Sequence, residues 1–432
     1  MREHEREKDN FIDKSPALGG SLVKEGAKKT GRIAAGWLVF LCILLPGTVA
    51  AVSQQSMTLE EAGQRGATLF AESGFTGMVL VVVRNREMAI RSYGETFPGS
   101  GRLPDSKSVI RLCSLSKIVT TDLLSKMVLE GKVRLADPLD RYAPKGKVVP
   151  RKGKDGRITL QDLATHTSGL PREVGSYPPH TAHFTFPDQS FRWNWLQKQK
   201  LISTPGTEAL YSNVGFDLLG DALAVAAGKP YAQLLDERFV RPLRLQETML
   251  TPNADQCARL LRGANDEGPC TDTQASGPSG GVYTTAGDMG RVLQYLLHIP
   301  GYPVQPDSAL AVVFKPQQLK SVQGLDHAGD PTGIGLGWVQ LGDPNSPQAV
   351  MEKTGGGAGF STYIVLSRKK QTGVFVAVTE GKGPWHIDLF GEANNLLADL
   401  AGIPPLPARV HKTRPAKKRN ARPSHRKKAA NS

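Results

Sequence analysis

Ser114 and Lys117 stand three residues apart in Arg111-Leu112-Cys113-Ser114-Leu115-Ser116-Lys117, and one turn of helix would bring both side chains to one face. A serine hydroxyl is almost fully protonated at neutral pH, so it attacks an acyl carbon only when a neighbour takes its proton. A lysine amine can be that neighbour if burial, other cations or a helix N-terminus depress its pKa. The chemistry open to the pair is therefore formation of an ester on Ser114 without a histidine. Taken alone, the pair also fits an ordinary helix start, with Ser114 or Ser116 as cap and Lys117 in solvent. Ile118, Val119, Leu123, Leu124, Met127 and Val128 follow at helical spacing and would anchor that helix in a core.

Two further elements follow in order: Tyr211-Ser212-Asn213, then Lys353-Thr354-Gly355 with Gly356-Gly357 behind it. The set S-x-x-K, Y-x-N and K-T-G resembles the penicillin-binding protein and class C β-lactamase superfamily of serine acyl-enzymes. The stretches Ile158 to Pro171 and Gly280 to Met289 are phrased as in that family. Within it the chain is most similar to the AmpH-type D-alanyl-D-alanine carboxypeptidase/endopeptidases, through Arg91 to Thr96, Thr165 to Glu173 and the cysteine-bearing run Pro252 to Cys270. The resemblance spans about residues 57 to 403 and omits both ends.

The resemblance assigns roles that chemistry can support. Ser114 is the expected nucleophile and Lys117 the group that shares its proton or tunes its field. Tyr211 is the expected base for acylation and acid for the leaving group. A phenol can do this only if cations lower its pKa, and Lys117 and Lys353 are those cations. Asn213 would bond the substrate amide and help hold Lys117. Lys353 and Thr354, on an expected edge strand, would offer a charge and a hydroxyl to the terminal carboxylate of a D-alanyl peptide. Gly355 and the glycines after it would let substrate approach the backbone. In the family, the amide N–H groups of the nucleophile and of the residue after K-T-G form the oxyanion hole, here Ser114 and Gly356. Each element has a plainer alternative: Tyr211 a half-buried aromatic, Asn213 a helix cap, Lys353 a solvated strand lysine.

Two other signals compete. His166 is the usual type of base for a serine, but between Thr165 and Thr167 it reads as a structural hydrogen-bonding residue. Gly277-Pro278-Ser279-Gly280-Gly281 fits G-x-S-x-G, yet the polar, turn-forming residues before it offer no strand to lead into a nucleophile elbow. Of four cysteines, Cys42 lies in the apolar leader and Cys113 adjoins the nucleophile, leaving Cys257 and Cys270 as a candidate disulfide across a short loop, with two separate thiols as the alternative. No cysteine and histidine spacing suggests a metal site, and the chemistry calls for no cofactor.

The chain ends differ from its body. An apolar run from Ile33 to Val52 follows Lys28, Lys29 and Arg32 and finishes in small residues. That layout suits a secretory signal peptide cut after Ala51 or Ser53, or an inner-membrane anchor over residues 33–52. Either places the catalytic body outside the cytoplasm, in the periplasm. Residues 409–432 hold ten lysines and arginines and no acid, so they supply most of the +14 net charge. This stretch reads as a disordered basic tail suited to anionic membrane lipids or wall polymers, with nucleic acid disfavoured by export. The expected division is residues 1–53 as extension and leader, 54–408 as a serine hydrolase domain, and 409–432 as tail.

The elements needed to hold the site follow from pattern. Thr76 to Val83 and Glu87 to Tyr93 predict one hairpin, Thr362 to Leu366 and Gly373 to Thr379 another, with a helix over Leu389 to Ala401 and a strand over Gly333 to Leu341. The middle, from Lys117 to about Leu297, alternates helices and loops. This predicts an α+β fold: an antiparallel sheet built from both ends of the domain, flanking helices, a helical lobe, and a cleft at their junction. The resemblance implies the same architecture, of the β-lactamase/transpeptidase type. The expected activity is a DD-peptidase acting on peptidoglycan stem peptides and acylated by β-lactams. A class C-like β-lactamase, an esterase of the same fold, or a catalytically idle wall-binding module are the alternatives.

Overall fold

The computed structural model describes residues 56–406 except 155, 265–267, 326–327 and 347. The expected leader or anchor and the basic tail lie outside the described residues. Gly77–Arg84 (β1) and Glu87–Gly94 (β2) form the first hairpin. Six more strands come late in the chain: Val312–Phe314 (β3), Gly333–Gly335 (β4), Val339–Leu341 (β5), Val350–Gly357 (β6), Phe360–Ser367 (β7) and Thr372–Thr379 (β8). They make one eight-stranded sheet in the order β2-β1-β8-β7-β6-β5-β4-β3. Every neighbouring pair in it is antiparallel. The first and last strands are neighbours, with Val81 opposite Phe375, so the two ends of the domain share one sheet as their hydrophobic runs predict.

Five helices frame the sheet and the site: Leu59–Ser73 (α1), Ser116–Leu129 (α2), Asn213–Ala227 (α3), Ala286–Leu296 (α4) and Leu389–Ala401 (α5). β1 is apolar without interruption because both sheet faces are covered. Met78, Leu80 and Val82 join the core with α5, while Val79, Val81 and Val83 join the larger core shared with α2, α3 and α4. α1 starts at a Thr58/Glu61 capping box and stops at Gly74 in the left-handed conformation, a pairing that satisfies both helix ends. The amide of Met57 donates to the Asp399 carbonyl at 3.0 Å, fastening the start of the described body to α5.

Gly333 to Leu341, expected as a single strand, is instead two strands, with Gly337 at φ +74° in the turn between them. A Cβ on Gly337 would lie 3.2 Å from Thr121 Oγ1 and 3.3 Å from the Lys117 carbonyl. The turn presses on α2, and only a residue without a side chain fits there at positive φ. Cys257 and Cys270 are joined, with S–S 2.04 Å.

Candidate active site

Ser114 stands in a short 3₁₀ turn, Cys113–Leu115, that runs directly into α2. The turn is held from two sides. Leu112 N donates to the Val282 carbonyl at 2.9 Å, and Thr362 Oγ1 on β7 donates to the Leu112 carbonyl at 2.9 Å. Cys113 takes φ 52°, a left-handed conformation that costs a non-glycine residue about 1 kcal/mol. Its thiol is buried and donates to the Gly357 carbonyl, S···O 3.3 Å. On β6, a Cβ at Gly355 would sit 2.3 Å from Thr362 Oγ1 and 2.8 Å from the Leu112 carbonyl. Glycine there is what lets β6 lie against the serine turn.

The motif residues converge. Lys117 Nζ donates to Ser114 Oγ at 3.2 Å, to Asn213 Oδ1 at 2.7 Å and to the Ser279 carbonyl at 2.6 Å. The Tyr211 hydroxyl donates to Ser114 Oγ at 2.6 Å. Ser114 Oγ thus touches two groups able to exchange its proton. Tyr211 and Asn213 are placed by the start of α3, where Ser212 caps the helix, accepting from Gly215 N at 3.0 Å and donating to the Pro171 carbonyl at 2.7 Å. Asn213 is not the cap but the first residue of the helix: its amide spans Lys117 and Glu173, accepting from Lys117 Nζ and donating through Nδ2 to Glu173 Oε1. Tyr177 donates to the other Glu173 oxygen at 2.8 Å.

Burial and charge oppose each other here. Lys117 is fully buried, and burial holds its ammonium below the usual lysine range; the Lys353 charge pushes the same way, against Tyr211. For Tyr211 burial alone would raise the phenol. The charges of Lys117 and Lys353, with the polar contacts of Lys117 and Ser114 behind them, outweigh it, leaving the phenol below its usual value of 10.0. Lys117 Nζ, Lys353 Nζ and Arg172 Cζ lie 4.9, 5.5 and 4.7 Å from the centre of the Tyr211 ring. One proton shared between an ammonium and a phenolate is the state this arrangement favours.

Lys353 is 1% exposed, not a solvated strand lysine. Its strand is not an edge of the sheet either, but the ladder to β5 runs only from Val350 to Glu352, whereas that to β7 continues to Gly357. Beyond Glu352 the ladder to β5 ends, and the far end of β6, at Gly356 and Gly357, reaches the cleft. Gly356, Gly357, Ser114 and Asn213 line that cleft, of about 470 Å³, together with the loop that carries Arg172, Glu173 and Tyr177.

His166 supports the site from behind. Its Nδ1 accepts the Ser212 N–H at 3.0 Å, and its ring stacks on Tyr211 at 4.4 Å. Burial first, then the charges of Lys117, Lys353 and Arg172, keep this imidazole neutral, with its pKa well below 6.5. The G-x-S-x-G stretch is a short helical turn over Gly277–Gly281. Its contribution is the Ser279 carbonyl that receives Lys117, while the Ser279 hydroxyl donates to the Ser276 carbonyl at 3.4 Å. Sequence reasoning did not single out Glu173, Arg172, the Ser279 carbonyl or Asp217. Asp217, one turn beyond Asn213 on α3, could have been found from helical spacing; a backbone carbonyl leaves no signal in residue type. Among the described residues no group of histidines, cysteines and carboxylates could hold a metal ion.

The family comparisons agree with this geometry. The β-lactamase family profile matches residues 54–390. The chain is 42% identical over 340 residues to the D-alanyl-D-alanine-carboxypeptidase/endopeptidase AmpH of Escherichia coli K12, covering 78% of this chain and 88% of that one. Among solved structures it is similar to a β-lactamase/D-alanine carboxypeptidase from Yersinia pestis complexed with citrate, at 40% identity and TM-score 0.76, covering 80% of this chain and 99% of the other. The D-alanine carboxypeptidase AmpC of Burkholderia cenocepacia shares the fold, at 22% identity and TM-score 0.62 over 79% of this chain and 98% of its own. A serine bonded by a buried lysine and a tyrosine, on a sheet of this order, within a chain matched over most of its length, places the protein in the β-lactamase family, beside AmpH.

Proposed function

We propose that this chain is a serine DD-peptidase that cleaves D-alanyl bonds of peptidoglycan stem peptides through an ester on Ser114, and that β-lactams acylate the same oxygen. The observation that carries the reading is the double contact of Ser114 Oγ with Tyr211 and Lys117 beside a strand that presents Lys353 and Thr354. With the shared proton on Lys117, the Tyr211 phenolate takes the Ser114 proton as Oγ attacks the penultimate D-alanyl carbonyl. The tetrahedral oxyanion is received by the amides of Ser114 and Gly356. Tyr211 then gives its proton to the departing D-alanine nitrogen, and the ester forms as the C–N bond breaks. Water, deprotonated at the same phenolate, clears the ester. Lys353 and Thr354 hold the terminal carboxylate of the substrate, and Asn213 the amide on the acyl side. Lys353 supports a carboxylate-bearing substrate over a simple ester.

The Cys257–Cys270 disulfide supports an exported catalytic body, since such bonds persist in oxidising compartments. In that setting the basic residues 409–432 would meet anionic lipids or wall polymers through charge.

The test uses purified full-length protein and its Ser114→Ala variant, a fluorescent penicillin, intact mass, and release of D-alanine from a muropeptide pentapeptide. An adduct that needs Ser114, with D-alanine release, is the expected result. Rapid turnover of the drug without peptide cleavage would make the protein a β-lactamase, and absence of any adduct would overturn the acyl-enzyme site.

A further inference from the structure

Asn213 and Asp217 are one turn apart on α3, so their side chains share a face, and both line the cleft that reaches Ser114. Asp217 is 2% exposed. Its Oδ1 accepts the Ser279 N–H at 3.1 Å; among the described residues no hydrogen bond reaches its Oδ2. A carboxylate with one protein donor on two oxygens, one of them open to the cleft, has room for another donor, and two cations near it, Arg192 and Lys117, are committed elsewhere. Arg192 donates to both oxygens of Asp221 and to the Ala275 carbonyl at 2.8 Å and to the Pro187 carbonyl at 2.7 Å. The three hydrogens of Lys117 go to Ser114, Asn213 and Ser279. What completes Asp217 must enter through the cleft, and a group that both donates hydrogen bonds and carries positive charge completes it best. Glu173, on the same cleft, adds a second negative charge while its oxygens are occupied by Asn213 and Tyr177.

The direction of the substrate says where that group sits. Lys353 and Thr354 take the leaving side and Asn213 the acyl side, so Asp217, beyond Asn213, meets a side chain on the acyl side of the scissile bond. We propose that Asp217 is the recognition point for a primary ammonium on the side chain of the residue preceding the D-alanyl-D-alanine unit. The inference rests on the DD-peptidase reading and adds to it a preference for peptides whose side-chain amine is uncapped.

Burial pushes the Asp217 carboxyl up to about 7, against the Arg192 charge and the Ser279 side chain. The preference for an amine should therefore strengthen as pH rises from 6 to 8 and the carboxylate forms. Lys117, Arg192, Asp221, Tyr177 and Tyr231 are the ionisable groups that act on it or that it acts on, and Arg172, Glu173, His180 and His183 line the same cleft; Lys117 serves every substrate alike and cancels in a ratio of two, and the Asp217→Asn ratio separates the pH dependence of Asp217 from that of the others.

The experiment compares D-alanine release from Nα-acetyl-L-lysyl-D-alanyl-D-alanine and from the same peptide acetylated at Nε. For the wild type, kcat/KM should favour the free amine about tenfold at pH 8, a difference of about 1.4 kcal/mol, and less at pH 6. Asp217→Asn should bring the ratio within about twofold, and Asp217→Glu should restore part of it. A wild-type ratio near one at both pH values overturns the proposal, as does an Asp217→Asn protein that keeps the tenfold preference. If the asparagine variant shows no melting transition, the wild-type ratio and its pH slope decide alone. Release from both peptides at equal rates leaves the DD-peptidase reading standing and removes only this inference; release from neither overturns both.

Discussion

Tyr211→Phe removes a single oxygen atom, and its consequences can be worked from the structure. The ring would stay stacked on His166 at 4.4 Å, beneath the same cations. What goes is the hydroxyl 2.6 Å from Ser114 Oγ. Its loss removes one hydrogen bond, worth about 1 kcal/mol to the fold, so the melting temperature should move by only about 2 °C. Acylation should suffer far more. A positioned acid–base group contributes roughly 10²- to 10⁴-fold, or about 3 to 5 kcal/mol of barrier. Lys117, still 3.2 Å from Ser114 Oγ, would supply the residual rate. The assay is the second-order rate of fluorescent-penicillin labelling between pH 5 and 10, with intact mass to confirm single occupancy. Because the two lysines hold the phenol below 10.0, the wild-type rate should climb with pH well before an ordinary tyrosine ionises. It should fall again as Lys117, itself held below the usual lysine range, loses its proton. The rising limb should vanish in the variant. A phenylalanine protein that labels within about threefold of wild type, with the same profile, would show that Lys117 alone takes the proton.

Lys353→Ala should lower kcat/KM for a D-alanyl-D-alanine peptide at least tenfold while affecting an uncharged ester much less, because a charge-assisted bond to carboxylate is lost; equal losses on both would place Lys353 outside carboxylate recognition. Gly355→Ala should cost about 1–3 kcal/mol of stability and slow labelling, since the new methyl meets Thr362 Oγ1 and the Leu112 carbonyl behind the serine turn; a wild-type melting temperature and rate would refute the close contact. Replacing Cys257 and Cys270 by serine should destabilise the fold by about 3 kcal/mol on loop-entropy grounds, read by denaturant unfolding, and leave the labelling rate of folded protein unchanged.

The parts of the site that sequence made visible are those where residue type is itself the chemistry: the serine, its lysine, the tyrosine and the K-T-G glycines. The sheet was visible for a related reason. Uninterrupted apolar strands such as Met78 to Val83 can only lie between two layers, and the hairpin limits came within about two residues. Lys353 was harder, because its strand is interior to the sheet and becomes an edge only where β5 stops; ladder length is set by tertiary pairing, not by the K-T-G residues. The turn at Gly337 was missed because its cause, the side of α2, lies more than two hundred residues earlier in the chain. The G-x-S-x-G stretch shows the reverse case, in which a pattern of side chains marked a place whose contribution is a main-chain carbonyl. Asp217 lay in plain view at helical spacing from Asn213 and lacked only a reason to be buried.

The adjacency of β1 and β8 sets a clock on folding. Strands separated by nearly three hundred residues must meet before the first hairpin joins the rest of the sheet, and the helix that seals one face comes later still. Such a long-range pairing is slow to form, and a growing chain cannot make it until residue 379 is free. Until then the sheet that carries β6 beside Ser114 lacks its first hairpin. The acyl-enzyme site would switch on only with the last tenth of the chain, so a truncated product should be folded in neither layer and inert toward the drug.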